Sequence, residues 1–161
     1  MFLGSPTYTL IHVAISLVAL AAGFVVLFGM FGSKRLNGWT ALFLLTTVAT
    51  SATGFGFPFS KLLPSHIVGI ISLAVLAVAI LARYPFHLAG SWCWVYVVSA
   101  ALALYFNAFV GVVQSFQKIA FLQPLAPTQS EPPFLVAQLV LMGIFVVLGF
   151  IAVKKFHPAM A

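Results

Sequence analysis

Acidic residues are almost missing from this chain: of 161 residues one is acidic, Glu131, and there is no aspartate. That excludes a carboxylate pair for acid–base work, a carboxylate-rich metal cluster and a Ser–His–Asp triad. Cysteine is nearly missing as well. With Cys93 alone, an intramolecular disulfide and a cysteine-based zinc site are both ruled out. Charge of either sign is scarce, at 5% of residues against about 25% in a soluble domain. A surface so poor in charge cannot be wetted, and with 63% hydrophobic residues the solvent must be lipid. The net charge of +6 is therefore no sign of nucleic-acid binding. No phosphate-binding glycine loop, dinucleotide fingerprint or CxxC pair occurs either.

What is present is a set of long apolar runs. A spanning helix needs about 20 such residues, and five segments qualify, at about 8–31, 39–57, 66–83, 92–116 and 134–153. The reading is an all-α bundle of five transmembrane helices forming one domain over 1–161, multi-pass in a bacterial inner membrane. The N-terminal run lacks a basic leader, so it reads as a retained span and not a signal peptide. Thr7 is the expected N-cap of the first helix and Ser65 that of the third. Ser130 is expected to cap the fifth, with Glu131, Pro132 and Pro133 in its first turn, where proline loses no hydrogen bond.

The cations set an orientation. Lys34, Arg35, Arg83, Lys154 and Lys155 fall on one side of the five spans, and Lys61 and Lys118 on the other. The richer side is cytoplasmic, which places the N-terminus outside. Trp39, Trp92, Trp94 and Tyr96 then lie at the cytoplasmic helix ends as an aromatic belt. His87 and His157 fall on that side too and read as interfacial residues.

Two further histidines, His12 and His66, each open a long apolar run that ends in a basic, Gly-containing turn with a Trp behind it. Their separation of about 54 residues suggests a helical hairpin written twice in tandem. Polar residues inside a bilayer are costly, so they are the best functional clues. By this topology His12, Thr50, Thr53, His66, Asn107, Gln114 and Gln138 share one layer in the outer half of the membrane. Asn107 and Gln114 are seven apart and share a helix face. Such residues can also do no more than cross-link helices, and threonine often bonds back to its own helix. Two imidazoles at one depth in a helix bundle match the axial ligand set of a b-type haem. His12 and His66 are the expected iron ligands, with the other five lining the site. Such a protein would carry electrons, to or from a quinone or a larger membrane complex. The competing reading is a non-enzymatic membrane subunit or small transporter, whose polar layer binds a substrate or fixes helix packing.

The segments Gly38-Trp39-Thr40, Thr53-Gly54-Phe55-Gly56-Phe57-Pro58, His66-Ile67-Val68-Gly69-Ile70, Ala82-Arg83-Tyr84 and 126–134 resemble those of a family of small bacterial multi-pass membrane proteins. That likeness implies the membrane fold and no particular activity. The His-initiated helices followed by Gly/Trp turns are also similar to small membrane cytochromes of the b561 type. Those place axial His pairs in a four-helix bundle, and the likeness implies at most one haem here. In a background where Cys93 is replaced by Ala, cysteines introduced at 34–38 should react only from the cytoplasm and those at 124–130 only from outside. The reverse labelling would overturn the orientation.

Overall fold

The computed structural model of the chain describes residues 5–62 and 64–159. It contains five α-helices: α1 (Pro6–Phe31), α2 (Asn37–Gly54), α3 (Pro64–Arg83), α4 (Trp92–Lys118) and α5 (Pro132–Lys155). One 3-10 turn, Gln123–Leu125, precedes α5, and no strand occurs among the described residues. α1, α3, α4 and α5 are long and apolar enough to cross a membrane. Their outward faces carry side chains such as Leu10, Leu17, Val136, Val146 and Phe150, each more than half exposed, as helices solvated by lipid require. α2 is shorter, at 18 residues, and its five threonines and one serine dilute its apolar character.

The helix starts differ from expectation by one or two residues, for identifiable reasons. Ser5, not Thr7, caps α1: its hydroxyl accepts from the Tyr8 N–H at 3.2 Å, and Pro6 takes the first helical position. α3 starts at Pro64, so Ser65 lies inside the first turn and not at the cap. Glu131, not Ser130, is the N-cap residue of α5. Its carboxylate turns back over the preceding loop and accepts from the Thr128 hydroxyl at 2.7 Å, the Thr128 N–H and the Ser130 N–H. Those bonds, the Thr128 hydroxyl foremost, hold the Glu131 carboxyl below the usual carboxylate range. The chain's one acid thus serves the loop 119–131. α2 ends at Gly54, three residues short of the expected 57, because the chain turns there into Phe55-Gly56-Phe57-Pro58.

α1 packs along α2 and α3 along α4, as two successive hairpins. α2 also touches α3, and α4 touches α1, which closes a ring of four. α1 and α3 therefore lie on a diagonal, and α5 rests outside the ring against α4 and α1. The two ends of the ring are built differently. At the end that carries Arg35, Arg83 and Lys155, small residues let the backbones approach: Ala22 and Gly23 of α1, Ala79 and Ala82 of α3, Ala100 and Ala103 of α4. Phe43, Leu76, Leu104 and Met30 fill what remains, and all four are fully buried. Toward the opposite end the inside of the ring is lined by Ser, Thr, Asn, Gln and His and opens, while Phe116, Ala126 and Phe134 form a small buried apolar cluster between α4, the following loop and α5.

Polar ties close the tight end. Ser33 donates to the Lys155 carbonyl at 2.6 Å and accepts from the His157 N–H at 2.9 Å, joining the α1–α2 turn to the end of α5. Trp39 and Trp94 are exposed as an interfacial belt requires, but Tyr96 is not part of it. Its ring is 0% exposed and lies beneath the Arg83 guanidinium, 5.3 Å from the ring centre.

The close approach at Gly23 gives a direct test. A Cβ there would collide with Leu104 Cδ1 and sit 2.9 Å from Phe43 Cε2. Gly23→Val should cost about 1–3 kcal/mol by overpacking, read as a lower Tm in thermal unfolding of the purified protein. Gly38→Ala, where an added Cβ meets nothing within 4 Å, should not destabilise.

Candidate functional site

The open end of the ring encloses a cavity of about 530 Å³. α1 contributes Thr9, His12, Ser16 and Leu20; α2 contributes Thr47, Thr50 and Ser51; α3 contributes His66 and Ser72; α4 contributes Phe106, Asn107, Gln114 and Lys118. The diagonal pair α1 and α3 thus places both histidines on one space. They are not at matched positions: His12 is the seventh residue of α1, whereas His66 is the third of α3.

Most hydroxyls in the wall are spent on their own helices. Ser16 donates to the His12 carbonyl at 2.8 Å, Thr47 to Phe43 at 2.6 Å, Thr50 to Thr46 at 2.8 Å and Ser115 to Gly111 at 2.8 Å. This local back-bonding lets a helix carry hydroxyls in lipid without a partner helix. It leaves oxygen lone pairs, not protons, facing the cavity. Ser51 and Ser72 approach each other across α2 and α3 at 3.4 Å.

Thr53 does not line the cavity but is bonded to His12. Its hydroxyl lies 2.7 Å from both the Ala49 carbonyl and His12 Nδ1. With the hydroxyl proton given to the carbonyl, Nδ1–H is the donor to Thr53 and Nε2 presents a lone pair. The same end of α2 is gripped a second time, since the Tyr8 hydroxyl donates to the Thr53 carbonyl at 2.6 Å. Phe57 completes this pocket, its ring edge-on to both Tyr8 and His12 at centroid distances of 5.1 Å.

His66 packs against two phenylalanine rings. It is 6% exposed and lies against Phe59 at 4.2 Å and Phe55 at 5.7 Å between ring centroids. Gly69, one turn further along α3, leaves the room that Phe55 occupies: a Cβ there would lie 3.1 Å from the ring. One short loop therefore supplies an aromatic ring to each imidazole.

Asn107 carries a buried amide nitrogen without a hydrogen-bond partner. It is 9% exposed and lines the cavity from α4. A buried amide donor left unpaired costs about 1–3 kcal/mol, which a ligand acceptor would recover. Of the seven residues expected at the site, His12, His66, Thr50, Asn107 and Gln114 line this cavity and Thr53 supports it from behind. Gln138 is elsewhere. Its Nε2 donates to the Phe109 carbonyl at 3.3 Å and fastens α5 to α4, because α5 lies outside the ring. Lys118, Ser16 and Ser72 were not legible as site residues. Lys118 reads as one more interfacial cation, and Ser16 and Ser72 are signalled only by their distance along the helix from each histidine.

Among the described residues, no cluster of three His, Cys, Asp or Glu side chains could hold a metal ion. Both imidazoles line one cavity, from two helices that lie across the ring from each other. Thr50, Ser51 and Ser72 add hydroxyls to a wall that is otherwise mainly apolar. Comparison with protein-family models, with curated proteins and with solved structures finds no match. Function has to be argued from the site itself.

The tautomer assignment is open to measurement. Nitrogen-15 spectra of the histidine-labelled protein at pH 8 should show His12 protonated at Nδ1. Thr53→Val should remove that preference and leave His87 unchanged. An Nε2-protonated His12 in the wild type would refute the hydrogen-bond scheme.

Proposed function

We propose that this chain is a multi-pass protein of a bacterial cytoplasmic membrane that binds a small amphiphilic molecule in the cavity of its outer half. Five spans cross the bilayer. α2 is the fifth of them, since 18 residues reach about 27 Å, close to the hydrocarbon thickness of about 30 Å. The excess of cations at the Arg83 end puts that end in the cytoplasm and the cavity toward the outside.

The observation that carries the reading is the cavity, with the unpaired Asn107 amide and the His12 imidazole in its wall. At about 530 Å³ it falls within the range of about 300–1,000 Å³ for small-molecule sites. Leu17, Leu20, Phe106 and Val110 supply its apolar lining. A ligand with a carbonyl or ether oxygen for Asn107 and a hydroxyl for His12 meets both groups, and a methoxy-substituted benzoquinol headgroup is one such molecule. The filled half of the ring, with Phe43, Leu76 and Leu104 buried in it, supports reading the site as a binding pocket.

A second reading rests on the two imidazoles. His12, held at Nδ1 by Thr53 as a metal-bound histidine is commonly held, and His66 would be the axial ligands of one b-type haem. Lys118 at the cavity wall would face a propionate. Haem bound there would supply one-electron transfer, with a quinone or a larger membrane complex as partner.

One set of measurements separates them. Purified in detergent, the protein should be colourless and should bind a short-chain benzoquinone or its quinol saturably in equilibrium dialysis. Asn107→Leu should weaken that binding about tenfold, the value of one hydrogen bond to an otherwise unpaired group. Gly111→Phe should abolish it by filling the cavity, where an added Cβ finds its nearest neighbour only at 3.9 Å. Equal binding in Gly111→Phe would refute the site. A red protein whose Soret band is lost in both His12→Ala and His66→Ala, but kept in His87→Ala, would replace this reading by the haem one.

A further inference from the structure

The opposite end of the bundle holds a second group of unsatisfied polar atoms, independent of the cavity. Arg83, the last residue of α3, is 5% exposed. An arginine near a helix end in lipid normally reaches outward and keeps its guanidinium in the headgroup water. Arg83 does the reverse. Its NH2 turns inward to donate to the Arg35 carbonyl at 2.9 Å and to Asn37 Oδ1 at 2.6 Å. Its NH1 is buried with no hydrogen-bond partner, and so is Nε of Arg35. The Tyr96 hydroxyl is buried on the ring beneath Arg83, next to Arg83 and Thr40.

These donors gather at the start of α2. That helix begins with Leu36 in the left-handed region at φ 42°, and no side chain caps its first N–H groups. A helix start of this kind favours an anion. Around it stand Lys34, Lys154 and Lys155, all exposed. Among the described residues the only acidic side chain is Glu131, at the far end of the bundle and bound by Thr128 and Ser130. A buried guanidinium with no carboxylate to answer it is strongly unfavourable unless an anion supplies the missing charge.

We infer that Arg83, Arg35 and the first turn of α2 form a binding site for a phosphate-class anion. Two sources carry that chemistry: the headgroup of an anionic phospholipid in the adjoining leaflet, and free inorganic phosphate. Phosphate oxygens would accept from Arg83 NH1 and Arg35 Nε, groups whose planar fork suits phosphate. Exposed Lys154 and Lys155 would add attraction without directing a hydrogen bond inward.

The test uses the full chain in lipid nanodiscs. Wild-type protein is compared in phosphatidylcholine alone, in phosphatidylcholine with phosphatidylglycerol, and in phosphatidylcholine with inorganic phosphate. Thermal unfolding and native mass spectrometry are the readouts. A rise in Tm with one retained phosphatidylglycerol assigns the lipid headgroup. A rise with inorganic phosphate in the absence of anionic lipid assigns the free ion. Either effect should fall about tenfold in apparent affinity in Arg83→Gln and in Arg35→Gln, and persist in Lys154→Gln. Arg35→Gln keeps the test decisive if Arg83→Gln does not fold. No effect from either anion overturns the inference. So does a gain that Lys154→Gln reduces as much as Arg35→Gln, which is diffuse surface attraction and no site. Neither result bears on ligand binding in the cavity at the other end.

Discussion

The close approach of α1, α2 and α4 around Gly23 is the contact on which the rest of the molecule depends. In lipid no hydrophobic force draws helices together, so association relies on dispersion between backbones that small residues allow to meet. Ala22, Gly23, Ala79, Ala82, Ala100 and Ala103 provide that at one end of the ring. Because that end is closed and filled by Phe43, Leu76 and Leu104, the other end can diverge without the bundle losing its register. The cavity is the complement of the tight half, and neither exists without the other.

Polar residues in the open half are held in two ways. Ser16, Thr47, Thr50 and Ser115 bond to their own helices and could stand in lipid unaided. His12 and Tyr8 instead bond across to Thr53, and so fix how α1 meets the end of α2. The first kind leaves the wall tolerant, with acceptors and few donors. The second kind gives it a defined geometry at one place. Asn107 belongs to neither kind, which is why it stands out as the residue that awaits a partner.

Much of this was readable in the residues. The apolar runs marked all five helices, and the common face of Asn107 and Gln114 is a consequence of helical spacing that tertiary contacts did not disturb. Helix starts were less legible, because proline at a first position competes with the capping preference of a neighbouring Ser or Thr. Pro6 moved the cap of α1 to Ser5, and Pro132 moved that of α5 to Glu131. Gln138 was misplaced because α5 is apolar on every side, so nothing in its pattern says which face meets the ring. Tyr96 was misplaced because an aromatic beside a helix start looks interfacial until the inward turn of Arg83 is known. The orphaned atoms of Asn107 and Arg83 depend on what fails to reach them in three dimensions, which no spacing encodes.

Phe55, Phe57 and Phe59 give the two imidazoles something in common beyond the space between them. Phe57 packs on His12, and Phe55 and Phe59 pack on His66. All three belong to one five-residue stretch between α2 and α3. A displacement of that stretch would uncover both rings together, which would couple the two histidines through a shared aromatic latch. The thermodynamics of such a latch are reciprocal: whatever opens it at His66 lowers the cost of opening it at His12, and by the same amount in return.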